Sequence, residues 1–275
     1  DLARGAKVAG SGFPLLRGMG CRLERGLISY MMDVHAREHG YTELWPPFVI
    51  NREAATGTGH LPKFGEDMYE IPLDGLWLVP TAEVPVTNIH AGELLPPGTL
   101  PLRYVAYTPC FRREAGSHGK DTRGLLRLHQ FDKVELVRFE KPEDSEAALE
   151  ELTGHAETVL QRLGLRYRVV LLAAGDLGFA NARTYDLEVW APGVGTWLEV
   201  SSCSRYTDYQ ARRTNVRYRP DTNAKPEYLH TLNGSALALA RLVVALLETY
   251  QQADGSVVVP EPLRPYLHTD RIVAS

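Results

Sequence analysis

The chain has 275 residues, 44% of them hydrophobic and 23% charged, so it can bury one sizeable core and lacks the composition of a disordered segment. Its net charge of −4 excludes a protein held on nucleic acid by bulk positive charge, while leaving room for a local basic patch. Three scattered cysteines, Cys21, Cys110 and Cys203, exclude a disulfide framework or a cysteine-rich zinc knuckle and predict a reduced, cytoplasmic setting.

The first predicted element is a helix over residues 22–39, where Leu23, Leu27, Met31 and Val34 recur at helical spacing and Gly40 supplies the stop. Its last turn spells His35-Ala36-Arg37-Glu38-His39, a zinc-protease-like string. Histidines at a helix C-terminus are favoured by the dipole and are expected to be solvated, so no zinc is assigned there. Strands are predicted over 76–79, 102–111 and 127–139, followed by a helix over 142–164 whose buried stripe is Leu149, Leu152, Ala156, Val159 and Leu163. Strands over 167–172, 184–190 and 196–201 come next. The last element is a helix over about 235–252, apolar nearly all round except for Arg241. Its apolar run, 237–247, is too short to span a bilayer, so no membrane segment is expected. Consecutive strands without intervening helices pair antiparallel, which predicts an α+β fold in one domain, residues 1–275. No glycine-rich phosphate loop occurs. The start at Asp1, without Met or a basic-plus-apolar leader, reads as a fragment of a longer chain with no secretion signal.

The segment 103–138 carries eight Lys/Arg against four Asp/Glu, an excess suited to a polyanion. Its two strands flank a polar loop bearing Lys120 and Arg123, longer than an ordinary hairpin turn and therefore a candidate functional loop. Arg127, Phe131 and Glu135 differ by multiples of two and are expected on one strand face, where a cation, an aromatic plate and a carboxylate can hold a phosphate, a base and an ammonium. A solvated hairpin with scattered charges is the plain alternative. The run Leu198-Glu199-Val200-Ser201-Ser202 offers the oxygen ligands that Mg²⁺ takes when phosphates complete its shell, or is simply a half-buried strand. Arg241, set in an apolar helix, needs a carboxylate or a ligand phosphate as its partner.

Four blocks carry a resemblance: Thr81-Ala82-Glu83; Phe111-Arg112-Arg113-Glu114-Ala115-Gly116-Ser117; Leu128-His129-Gln130-Phe131-Asp132-Lys133-Val134-Glu135; and Thr231-Leu232-Asn233-Gly234-Ser235-Ala236-Leu237-Ala238. The chain resembles, over essentially its whole length, the bacterial seryl-tRNA synthetases, a branch of the class II aminoacyl-tRNA synthetases. The resemblance implies a mainly antiparallel sheet of six or seven strands flanked by helices. It also implies a dimer-building first motif (helix 23–39 with the strand to Pro47), a second motif over 103–139 and a third over 232–251. Activation of L-serine by ATP and transfer of the seryl group to the acceptor end of a tRNA are implied as well, in a cytoplasmic homodimer.

By that resemblance Arg112 would bridge the α-phosphate of ATP and the serine carboxylate. Glu114 would contact adenine, with Phe131 stacked beneath it and Leu128 beside it, and Arg127 and Arg241 would hold the γ-phosphate. Arg113, Val200 and Ser201 complete the expected ATP contacts. Glu199 and Ser202 would bind Mg²⁺ or Mn²⁺, with no role for zinc. Thr81, Ala82, Glu83, Glu135, Asn233 and Ser235, with Arg112, would surround serine. Of local basic residues, Arg113, Lys120 and Arg123 would face the tRNA end. The long coiled-coil arm of the bacterial family finds no counterpart, since no heptad patterning of that length is present. A related ligase that loads an amino acid on a carrier protein is the alternative, but its zinc-binding Cys/Glu/Cys set is missing. An inactive paralogue is disfavoured because every expected ligand is retained.

Overall fold

The computed structural model describes residues 1–115 and 124–273. Seven strands form its central sheet: β1 (Thr42–Leu44), β2 (Leu102–Phe111), β3 (Gln130–Glu140), β4 (Tyr167–Leu171), β5 (Arg183–Ala191), β6 (Thr196–Thr207) and β7 (His230–Ala238), in the order β1-β2-β3-β7-β6-β5-β4. Only β1 and β2 run parallel; the other neighbours are antiparallel, giving the expected α+β architecture. The helices that matter for the site are α1 (Met19–Arg37), α2 (Glu83–Thr87), α3 (Ser145–Arg162), α4 (Tyr209–Thr214) and α5 (Leu239–Tyr250).

Strand alternation gives the sheet two unlike faces. On one, Val134, Leu136, Leu187, Val189 and Leu232 pack with Leu27 and Met31 of α1, Leu149 and Leu152 of α3, and Leu242 and Leu246 of α5 in the main core. Each fully buried side chain of this kind contributes roughly 1.5–3 kcal/mol relative to exposure. Gly234 is needed where α3 meets β7, because a Cβ there would lie 2.5 Å from Leu152 Cδ2 and 2.7 Å from Cys203 Sγ. The fully buried Arg138 is paired with Glu140 on its own strand and ties β3 to α3 through Glu151. On the opposite face β3 changes character along its length: Phe131, Lys133 and Glu135 open into a cleft, whereas Val137 and Phe139 enter a second apolar cluster with Ala82, Val86 and Leu95.

Three expectations need correction. Residues 235–238 are not the start of the last helix but the end of β7, whose backbone is paired with β3 on one side and β6 on the other; the helix begins at Leu239. Arg127 precedes β3 and so does not belong to its alternating face. His35 is not solvated: it is fully buried, with Nδ1 at 3.0 Å from His39 Nδ1, while His39 stacks on His155 at 4.0 Å. The rings contact one another, and among the described residues no group of three His, Cys, Asp or Glu is arranged to hold a metal.

Candidate active site

A cleft of about 400 Å³ opens on the polar face of the sheet. It is lined by Thr81, Glu83, Arg112, Glu114, Arg127, Leu128, Phe131, Glu135, Glu199, Val200, Ser201, Ser202, Asn233, Ser235 and Arg241, residues that the sequence nominated from six separate segments. Two nominated residues lie elsewhere. Ala82 is buried in the second apolar cluster beneath the floor. Arg113 turns away, its guanidinium 4.4 Å from the Tyr69 ring and its Nε donating to the Met68 carbonyl at 3.0 Å. Lys120 and Arg123 lie outside the described residues.

The floor is a buried polar network. Lys133 is ion-paired with Glu135, and its Nζ also donates to Thr81 Oγ1 at 2.8 Å. Thr81 Oγ1 accepts the Glu83 amide at 3.2 Å and donates to Glu135 at 3.5 Å, and Ser235 Oγ donates to the same carboxylate at 3.4 Å. Glu83 is held differently, by the Gln210 amide at 2.7 Å, while Tyr206 donates its hydroxyl to Asn233 Oδ1 at 3.4 Å and the buried Asn233 Nδ2 has no hydrogen-bond partner among the described residues. Burial pushes the Glu83 carboxyl up, with the Lys133 charge and the Gln210 hydrogen bond opposing. His60 lines the wall with Nδ1 at 2.9 Å from Thr58 Oγ1; burial, then the charges of Arg112 and Lys133, lower its pKa to about 3, so the ring is neutral.

Above the floor, Arg112 is set at the end of β2, its Nε donating to the Pro80 carbonyl at 3.2 Å and its guanidinium 5.2 Å from the Phe131 ring centroid. The peptide bonds of Arg112 and His129 pair at 2.9 Å, and His129 packs on Gly12, whose φ of +83° and missing Cβ permit the approach. Arg127 is ion-paired with Glu114, so in this state the expected phosphate ligand and the expected adenine ligand hold each other. Arg241 is not sealed in the core. It leaves α5 toward the cleft rim, where it donates to the carbonyls of Leu126 at 3.1 Å and Glu199 at 3.0 Å, with the Glu199 carboxylate 4.0 Å away.

A β-bulge in β6 brings the proposed metal ligands together. Glu199 faces Glu188 and Ser202 faces Asp186, with the extra residue, Val200, between paired positions. Glu199 and Ser202 therefore share the cleft face although three apart in sequence. Asp186, beside them on β5, has its Oδ1 sealed from solvent without a hydrogen-bond partner among the described residues. Burial, then the Glu199 charge, raises its pKa to about 6. An all-oxygen set around an unpaired carboxylate atom fits Mg²⁺, which binds through one or two carboxylates and fills its shell with phosphates and water.

Sequence reasoning missed His60, Lys133, Tyr206 and Gln210. Lys133 was detectable, since it sits midway between Phe131 and Glu135 on the same two-residue period. The other three reach the site only through tertiary convergence.

The arrangement has known counterparts. The family of the tRNA synthetase class II core domain (G, H, P, S and T) matches residues 69–250. A serine–tRNA ligase of Citrifermentans bemidjiense is 61% identical over 267 residues, covering 97% of this chain and 63% of its own length. That of Gemmatimonas aurantiaca is 62% identical over 266 residues with the same coverage. The chain thus spans about 63% of the length of the curated relatives it matches. Seryl-tRNA synthetase from Pyrococcus horikoshii, solved with ATP, superposes with a TM-score of 0.96 at 43% identity, covering 100% of this chain and 61% of that one. The chain belongs to the class II tRNA synthetase core-domain family.

Proposed function

We propose that this chain is the catalytic core of a serine–tRNA ligase, activating L-serine with ATP and passing the seryl group to the 3′ end of a tRNA. The observation that carries the reading is the convergence in one cleft of Arg112, Arg127 and Arg241 with a buried floor of Thr81, Glu83, Glu135, Asn233 and Ser235. Relatives at about 61% identity bear that name.

In the first step a serine carboxylate oxygen attacks the α-phosphorus of ATP, and the bond to pyrophosphate breaks with its electron pair leaving on pyrophosphate. Two anions must meet, so the contribution of the protein is positioning and charge neutralisation, with Arg112 between carboxylate and α-phosphate. Arg127 leaves Glu114 to meet the terminal phosphates with Arg241, and Glu114 turns to adenine above Phe131. The serine carboxylate is already ionised near neutral pH, so no general base is required. Glu83, Glu135, Asn233 and Ser235, with Thr81, surround the ammonium and hydroxyl of serine. Glu199 and Ser202 would hold Mg²⁺ or Mn²⁺, which supplies charge neutralisation on the phosphates. In the second step a terminal ribose hydroxyl attacks the seryl carbonyl and AMP leaves.

The reading places the protein in the cytoplasm, where translation occurs; no helix among the described residues is long and apolar enough to cross a membrane. A homodimer built on α1 and β1 is supported by Trp45, which is 73% exposed beside Phe48 and Tyr107 next to the edge strand. The test is serine-dependent exchange of pyrophosphate into ATP across a panel of amino acids. Serine-specific exchange is expected; exchange driven by another amino acid, or none, overturns the reading.

A further inference from the structure

Gln210 does not line the cleft. It is fully buried near the start of α4, yet it joins three parts of the floor. Its Nε2 donates to Glu83 Oε1 at 2.7 Å and reaches the Thr58 carbonyl at 3.5 Å, while its Oε1 accepts the Thr231 hydroxyl at 2.7 Å. A hydroxyl could pair with either end of an amide, but an ionised carboxylate and a carbonyl can only accept, so the amide has one orientation here. Thr231 lies on β7 two residues from Asn233 and four from Ser235, on the same face. One side chain therefore links the helix carrying Glu83 to the strand carrying the other groups around the amino-acid end of the cleft. Among the described residues Glu83 has no ion pair, which makes the 2.7 Å charge-assisted bond from Gln210 the strongest restraint on its carboxylate.

We propose that Gln210 is a positioning residue for amino-acid selection: its amide fixes the Glu83 carboxylate, and through it the acceptor that a substrate ammonium and hydroxyl meet. The inference rests on the serine-activating reading of the cleft. Replacement by glutamate keeps shape and the acceptor for Thr231 but sets a second carboxyl against Glu83, and two carboxyls at that distance share one proton rather than both ionising. A protonated Glu at this position donates as the amide does, so the defect is relieved by acid.

The test measures pyrophosphate exchange in the chain carrying Gln210→Glu or Gln210→Leu. Loss of a hydrogen bond to a charged group predicts a serine KM raised about tenfold or more at pH 8 in both variants, with the ATP KM within about twofold of the parent. In Gln210→Glu the excess serine KM shrinks as pH falls from 8 to 6, while in Gln210→Leu it does not. The preference for serine over alanine drops in Gln210→Leu by about tenfold. If Gln210→Leu fails to fold, the pH profile of Gln210→Glu still decides. An unchanged serine KM, or serine and ATP KM rising together without pH dependence, overturns the role of Gln210. Absence of serine exchange in the parent chain overturns the underlying reading instead.

Discussion

Lys133 and Glu135 form an ion pair on one strand face, with side chains only 7% and 2% exposed, directly beneath the opening of the cleft. The carboxylate expected to take the substrate ammonium already holds an ammonium of the protein, while Glu83, across the floor, is met by the neutral amide of Gln210. The pair therefore has a structural duty whatever its part in binding. Lys133→Met leaves Glu135 buried without its cation and is expected to destabilise the fold by about 3–5 kcal/mol, whereas replacing both partners by apolar residues costs less. Urea unfolding of the single and double variants checks this; a double variant as unstable as the sum of the singles contradicts it.

Arg112 has one guanidinium placed between the Phe131 ring and the Pro80 carbonyl. Lysine lacks the planar fork, so Arg112→Lys is expected to lower exchange by about a hundredfold or more with little change in melting temperature. Activity near the parent level in the purified variant would remove Arg112 from the chemistry.

Chelation is expected to stop exchange and Mg²⁺ to restore it. Glu199→Gln keeps the bulged strand but loses a charge, so a higher Mg²⁺ concentration is needed for half-maximal rate. The readout is a Mg²⁺ titration at saturating ATP. Restoration by stoichiometric zinc but not by Mg²⁺ would contradict the oxygen-ligand assignment.

Stability should decline on both sides of a middle pH range. Burial, then the neighbouring His39, lowers the His155 pKa from 6.5 to about 4. Between those values the unfolded chain binds the extra proton, so stability is lost as pH falls from about 6.5 toward 4. Burial, then the charge of Asp132, raises Glu24 from 4.5 to about 8, so there the folded chain binds the extra proton and stability is lost as pH rises through that window. Glu24→Gln is expected to raise the melting temperature at pH 8 and leave it nearly unchanged at pH 5. Equal shifts at both would rule out ionisation as the cause.

How far the sequence reveals this molecule depends on whether a signal is local. β2 occupies the predicted 102–111, because an apolar-alternating run carries its own period. β7 escaped because its cleft face is Thr231, Asn233 and Ser235 and its core face includes Gly234, a composition that reads as a loop before a helix. Its stability comes from neighbours on both sides. Arg112, Phe131 and Glu199 could be nominated from motif blocks, but Gln210 and Tyr206 gain their positions from packing between distant segments. The buried His35 shows the converse: the last turn of a helix is usually wet, and here α3 brings His155 against the neighbouring His39.

The bulge at Val200 makes the length of β6 as consequential as its composition. Deleting that one residue would give β5 and β6 a regular ladder, and a backbone inspection would score the sheet as improved. Glu199 would still face Glu188 and Ser202 would still face Asp186, now two residues apart instead of three, so carboxylate and hydroxyl would keep the cleft face. What would go is the buried Val200 side chain, a member of the main core, so the cost of the deletion falls on stability. Straightening the strand at its present length is the damaging change: three residues apart on a regular ladder, Glu199 and Ser202 would point to opposite faces, and substitutions that abolish the bulge should therefore harm the site more than loss of the residue that forms it.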